Sequence, residues 1–331
     1  MVLKKTNKKS RYIIFDLLKI ILTILVVNLH IRVITPSGAH LFGSYWSYTV
    51  PIFMTLSFFF MSKYFSMIKL PFSAVLSRIK RLLIPLVFWS GIGFLLSPKL
   101  FNIRNALLQL FTGKVVDTPL YYLNLLILFT LIYWLITYVP PKFRIPLHFM
   151  IIFAALFFDY SEISYRFFDP MINEIKRCYG QIVELVKYAS LGILFGILFK
   201  ENKNKLILFL LAGLSLLLLN LYKFPAPHGF NYSGIKLFFG TILVLSSTLL
   251  ITNINFSPKI NNFINILGGY SFGVYLFHII FYIKLFQVFP DLKHINNQYP
   301  LVVLFVYMIS CYAFCFLFDR LTLKKFSFLV K

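Results

Sequence analysis

The sequence predicts an all-α integral membrane protein with about ten transmembrane helices. Three observations carry that expectation. Of the 331 residues, 59% are hydrophobic and 13% charged; the apolar residues gather in runs long enough to cross a bilayer; and the positive charge falls between the runs. A soluble globular chain has about a quarter of its residues charged, and a mean hydropathy of +0.81 with 40 Phe lies far outside that class. The formal charge of +23 would suggest nucleic acid in a soluble protein. Here it sits in short segments flanking apolar runs, where Lys and Arg set membrane orientation, so no nucleic-acid partner is expected.

Ten apolar runs are read, at 12–34, 45–64, 82–98, 120–139, 145–159, 182–199, 205–223, 235–253, 266–288 and 300–318. A crossing helix needs about 20 such residues. The excess of Lys and Arg on alternate segments places both termini in the cytoplasm, with 1–11 a basic tail and 319–331 a short one. Asp117, Asp159, Glu162, Asp169, Glu174, Glu184 and Asp291 then fall outside, and Glu201 and Asp319 inside. Lys4 to Arg11 followed by an apolar run resembles a signal peptide. That run, however, is long, contains Asp16 and Lys19, and has no small-residue cleavage site, so it is read as the first span. There is no internal repeat or low-complexity linker, and a single membrane domain over 1–331 is expected. The longest outer segment, Tyr160 to Gln181, is polar, aromatic and acidic, which suits a sugar or an ordinary solvated loop. Cys178, Cys311 and Cys315 fit neither a disulfide framework nor a zinc spacing, and no metal is expected.

The first run carries the residues that a bilayer least favours. An ionisable side chain at membrane depth costs about 2.5–3.5 kcal/mol on insertion scales, so it normally faces a bundle interior or a wet cavity. Lys19 would lie roughly 10 Å inside, and His30 toward the outer third. Eleven residues apart, the two differ by about 20° around a helix, with Thr23 between them on the same face. A neutral imidazole accepts a proton from an attacking hydroxyl, which makes His30 a candidate general base; the bland reading is an interfacial helix-end residue. Asp16, three before Lys19, reads as an ion-pair or helix-start residue.

Two further groups stand out. Arg78 and Arg81, at i and i+3 before the third run, point the same way on an ideal helix. Guanidinium forks bind phosphate oxygens in pairs, so they suit a nucleotide cofactor such as coenzyme A, or are ordinary juxtamembrane charge. In the ninth run Ser271, Tyr275 and His278 follow i, i+4, i+7 spacing, a polar stripe that faces other helices. The stripe would line a substrate path or support the bundle. His40, His148, His228 and His294 have no visible partner in the sequence.

Together these segments resemble the acyltransferase-3 family of integral membrane acyltransferases over nearly the whole chain. The resemblance rests on Phe15-Asp16-Leu17-Leu18-Lys19 through His30, like the family's Arg/Lys-x10-His signature. It extends to Val50 through Ser57, to Arg78-Ile79-Lys80-Arg81 as an Arg-x-x-Arg motif, and to Tyr270 through His278, similar to its Ser-Tyr-x-x-Tyr-Leu-x-His segment. Phe58 stands where the family usually has glycine, and Tyr121-Tyr122-Leu123 replaces a segment that commonly contains tryptophan.

The resemblance implies O-acylation, foremost O-acetylation, of a cell-envelope polysaccharide or lipid-linked glycan in a bacterial inner membrane, with cytoplasmic acetyl-CoA or another acyl-CoA as donor. It implies Arg78 and Arg81 on coenzyme A phosphates, Lys19 along the path and His30 as base toward an extracytoplasmic acceptor, with membrane lipid around the bundle. Direct transfer and a transient acyl-enzyme are both compatible with it. Two other classes stay open from the residues alone: a polysaccharide polymerase or lipid-linked glycan transporter, and a catalytically silent scaffold or sensor.

Overall fold

The computed structural model describes residues 13–31, 45–62, 70–113, 120–160, 173–199, 205–221, 223, 232–252, 254, 256–289 and 291–331. In chain order the helices are α1 (Ile13–His30), α2 (Thr49–Met61), α3 (Phe72–Leu96), α4 (Ile103–Thr112), α5 (Tyr121–Ile136), α6 (Pro141–Tyr160), α7 (Asn173–Phe199), α8 (Lys205–Leu221), α9 (Ile235–Leu250), α10 (Pro258–Val288), α11 (Leu292–Gln298) and α12 (Pro300–Leu321). Among the described residues there is no strand. Six helices are long and apolar enough to cross a membrane: α1, α3, α6, α7 from Gly180, α10 as far as Tyr282, and α12. Four more, α2, α5, α8 and α9, are apolar but shorter, with 13 to 17 residues each. The protein is thus an all-α membrane protein, as expected of chains that must satisfy every backbone polar group within hydrocarbon.

Every apolar run read in the sequence carries a helix, and the differences lie at the ends. α3 starts ten residues ahead of its apolar run because Arg78, Lys80 and Arg81, good helix formers, continue it. α10 starts eight residues early: Ser257 caps it, its hydroxyl accepting from the Ile260 amide, and Pro258 occupies the first turn. α7 takes in 173–181, so part of the expected outer segment is helical; 161–172 lies outside the described residues. α4 was not anticipated, although Asn102, whose side chain accepts from the Asn105 amide at 2.8 Å, is a readable cap.

Side-chain pairings fix the helix directions. Thr23 of α1 reaches the Ser271 carbonyl of α10 at 3.5 Å, and His30 lies on His278, each seven residues further on, so α1 and α10 run parallel. α12 returns antiparallel to α10: Tyr270 donates to Asp319 at 2.8 Å, while Phe277 stacks on Phe314 with ring centroids 3.9 Å apart. α2 and α7 cross in close contact, where Gly192 faces the Thr55 carbonyl.

The chain after α12 is no solvated tail. Leu323 and Lys324, with φ of 50° and 62°, reverse it. Leu329 and Val330 are then buried, and the Trp89 indole donates to the Leu329 carbonyl at 3.3 Å. Apolar side chains at the end of a short segment gain more by covering the bundle than by meeting water.

A Cβ at position 192 would collide with the α2 backbone. Gly192→Val should therefore lower stability by about 1–3 kcal/mol, the usual range for overpacking, read as a fall in melting temperature of the detergent-solubilised protein. An unchanged melting temperature would show that α2 and α7 do not cross there.

Candidate active site

The site is assembled on the seam between α1 and α10. Thr23, buried, back-bonds to the Lys19 carbonyl at 2.8 Å and meets the backbone of Ser271. The Ser271 hydroxyl lies 3.1 Å from the Tyr312 hydroxyl of α12, which ties the third helix to the seam. One further pair of turns along, His30 and His278 face each other with ring centroids 5.1 Å apart. His278 is fully buried and His30 half-buried.

The orientation of His278 is fixed by its own helix. Its Nδ1 lies 2.7 Å from the Tyr275 carbonyl and 3.1 Å from the Val274 carbonyl. Only an N–H can satisfy a carbonyl, so Nδ1 carries the hydrogen and the neutral ring offers Nε2 as acceptor. That Nε2 is buried and has no hydrogen-bond partner among the described residues. The Tyr307 hydroxyl donates to the His278 carbonyl and anchors this turn to α12.

Aromatic side chains carry the site inward. Tyr275 packs against His278 at 6.1 Å, Tyr122 at 5.6 Å and Phe53 at 6.0 Å between ring centroids. Arg78 is half-buried. Its Nη2 donates to Ser57 at 2.7 Å, its Nε to Thr130 at 3.0 Å, and its guanidinium sits 5.3 Å from the centroid of the Phe58 ring. A cation held over an aromatic face gains about 0.5–2 kcal/mol, so Phe58, where the family usually has glycine, fills the space beneath Arg78. Tyr122, Tyr275 and His278 are buried side by side, while Arg78 and His30 are half-buried.

The second wall is a polar knot on α6, α7 and the turn before α9. Lys187 is fully buried and pairs with Asp159 at 3.0 Å, while donating to the Glu184 carbonyl at 2.6 Å. Asp159 accepts from the Gly234 amide at 2.7 Å and Glu184 from the Tyr232 amide at 3.2 Å. Both carboxylates thus clamp the turn that carries Tyr232, whose hydroxyl lies 2.7 Å from that of Tyr121. Burial pushes the Tyr232 hydroxyl up to about 12, which keeps it protonated and able to donate.

The expected residues divide. His30, Ser271, Tyr275 and His278 are brought together with Thr23. Arg78 is held by Ser57 and Thr130 and is half-buried, while Arg81 is exposed, so the two arginines differ in setting. Lys19 does not share the interior with His30. It pairs with Asp16 at 3.0 Å, lies over the Phe60 ring and has a third of its side chain exposed, about 16 Å along α1 from His30. The Asp16 reading as an ion-pair residue holds. His148 does have partners, stacking on Tyr133 beside Ser190, and exposed His294 meets Gln298. His40 and His228 lie outside the described residues. Cys311 and Cys315 are free and buried. What the sequence reading missed is the Asp159–Lys187 pair, although a lysine within an apolar run was the available signal.

Helices of membrane-crossing length around a histidine pair, one member buried and one half-buried, define a polytopic membrane protein with an intramembrane polar site. The family model for the acyltransferase domain of the acyltransferase-3 family matches residues 12–320, and the chain belongs to that family. No curated protein and no solved structure matches it.

Removing one partner of a buried ion pair costs about 3–5 kcal/mol, because the other charge is left uncompensated. Lys187→Met should thus unfold or strongly destabilise the protein, and Asp159→Asn with Lys187→Met should recover part of the loss. Equal melting temperatures for wild type and Lys187→Met would refute the clamp.

Proposed function

We propose that the protein moves an acyl group, foremost acetyl, from cytoplasmic acyl-CoA to a hydroxyl of an extracytoplasmic glycan, as a multi-pass enzyme of a bacterial inner membrane. The observation that carries this reading is the His30–His278 pair, which places an acceptor nitrogen in the interior of a member of an acyltransferase family. Its supports are the side-chain-anchored Arg78, the buried tyrosines Tyr122 and Tyr275 beside His278, and the helix directions, which suit ten alternating crossings with both termini cytoplasmic.

In this reading the donor enters from the α3 side. Arg78, already fixed by Ser57 and Thr130, meets a coenzyme A phosphate, and Arg81 supplies charge at the entrance. The thioester then lies along Tyr122 and Tyr275. His30, with one half-exposed face, takes the proton from the acceptor hydroxyl as its oxygen attacks the acyl carbon; the C–S bond breaks and the thiolate leaves with coenzyme A. His278 holds the base from behind, its Nδ1 locked on α10 and its Nε2 open toward the site. Lys19, paired with Asp16, contributes at most field along α1.

A positioned base contributes about 10²–10⁴-fold, so His30→Ala should lose that much transfer while keeping its melting temperature; substantial transfer by a folded His30→Ala protein would defeat the mechanism. Donor binding is read separately. A ligand at a hundred times its Kd stabilises by about 2.7 kcal/mol, so acetyl-CoA should raise the wild-type melting temperature and leave that of Arg78→Ala unmoved. No shift in the folded wild type would remove acetyl-CoA as donor.

A further inference from the structure

After α12 the chain turns back into the bundle and approaches the histidine site from below. Leu323 and Lys324 make the reversal, Ser327–Leu329 forms a single tight turn, and Leu329 and Val330 are buried while Lys324 and Lys325 stay exposed. The Val330 carbonyl lies against Gly273 of α10, where a side chain would not fit. Gly273 is five residues, about 7 Å, before His278 on the same helix. It is also two residues past Ser271, which meets Thr23 about 15 Å along α1 from Ile13. Non-helical backbone at such depth occurs only where protein or a wet cavity encloses it, so 323–331 is a re-entrant element.

Its contacts converge on the turn that carries His278. The Trp89 indole of α3, wholly buried, donates to the Leu329 carbonyl at 3.3 Å and packs against Phe277 with ring centroids 5.6 Å apart. Phe277, next to His278 in the chain, also stacks on Phe314 of α12. Lys331 pairs with buried Asp319 at 2.5 Å, and Tyr270 donates to the same Asp319 oxygen at 2.8 Å. One carboxylate thus holds α10, α12 and the returning segment together.

We propose that 323–331 is a strap that closes the bundle beneath the histidine pair and positions the His278 turn, with Trp89 as the positioning residue through which it acts. That the held turn belongs to a transfer site rests on the acyltransferase reading; the strap rests on its contacts alone. Phe277 and His278 are neighbours on one helix, so movement of Phe277 into space vacated under Trp89 carries the imidazole away from His30. A misplacement of about 1 Å at a reacting centre costs about 10²-fold in rate.

The test uses the full chain in phosphatidylcholine nanodiscs and diethyl pyrocarbonate, which acylates unprotonated imidazole nitrogens, each histidine being read by mass spectrometry. In wild type, exposed His294 should label fast and buried His278 and His148 slowly. Trp89→Phe keeps a ring but loses the N–H, and Lys331→Ala cuts the pair with Asp319. Both should raise His278 labelling about three- to tenfold, the local opening expected when one hydrogen bond is lost, and Lys331→Arg should restore the wild-type rate. His148, buried where α6 meets α7, should stay protected in all of them. Equal gains at His148 and His278, or no gain at His278 in either variant, would overturn the strap. Selective opening of His278 in a protein that acetyl-CoA does not stabilise would keep the strap and overturn the donor assignment instead.

Discussion

His30 and His278 meet because α1 and α10 lie parallel and in contact, and the rest of the site depends on that contact. Where the seam starts, Gly268 of α10 sits so close to Asp16 that a side chain there would not fit. Thr23 meets Ser271 two turns on, and the imidazoles close the sequence. Parallel helices from opposite ends of a chain cannot be joined by a short turn. Their register must come from packing, and here it comes from small and polar residues, the usual means by which helices associate in lipid, where apolar surface gives no preference. α12 then braces the seam from behind through Tyr312, Tyr307 and Phe314.

Two lysines in apolar runs show how the same sequence signal leads to different structures. Lys19 lies near a helix start, reaches Asp16 on its own helix and keeps a third of its side chain in contact with the surroundings. Its pairing stays within one helix, with Asp16 buried and Lys19 half-buried. Lys187 is wholly enclosed and pairs across helices with Asp159, in a knot whose carboxylates also hold the Tyr232 turn. Losing one member there exposes the other to a medium that cannot solvate it. The knot thus fixes the clamped turn that carries Tyr232 and its contact with Tyr121.

The class of fold was legible because crossing helices are written in composition: each apolar run carries a helix, and charged segments lie between them. Helix ends were less legible, since Arg78 or Asn261 look like loop residues by polarity and yet continue helices. Periodicity placed Thr23 with His30, and Ser271 with Tyr275 and His278, correctly on shared faces. It could not show that these faces meet each other, because nothing local relates residue 30 to residue 278. For the same reason the inward turn of Arg78 onto Ser57, Thr130 and Phe58 was hidden: i, i+3 spacing describes a helix face but not what stands opposite it. The burial of Leu329 and Val330 escaped for a related reason, being decided by the gap beside Trp89 rather than by the tail itself.

If the two imidazoles work as one unit, their contributions to transfer will not be independent. The direct measurement is the rate of acyl transfer by His30→Ala, His278→Ala and the double variant, each at matched expression and melting temperature. Groups that act together show strongly non-additive losses, so the double variant should be about as slow as His30→Ala alone. Losses that multiply, or a His278→Ala protein with wild-type rate, would contradict a shared histidine centre and leave His278 a packing residue of α10.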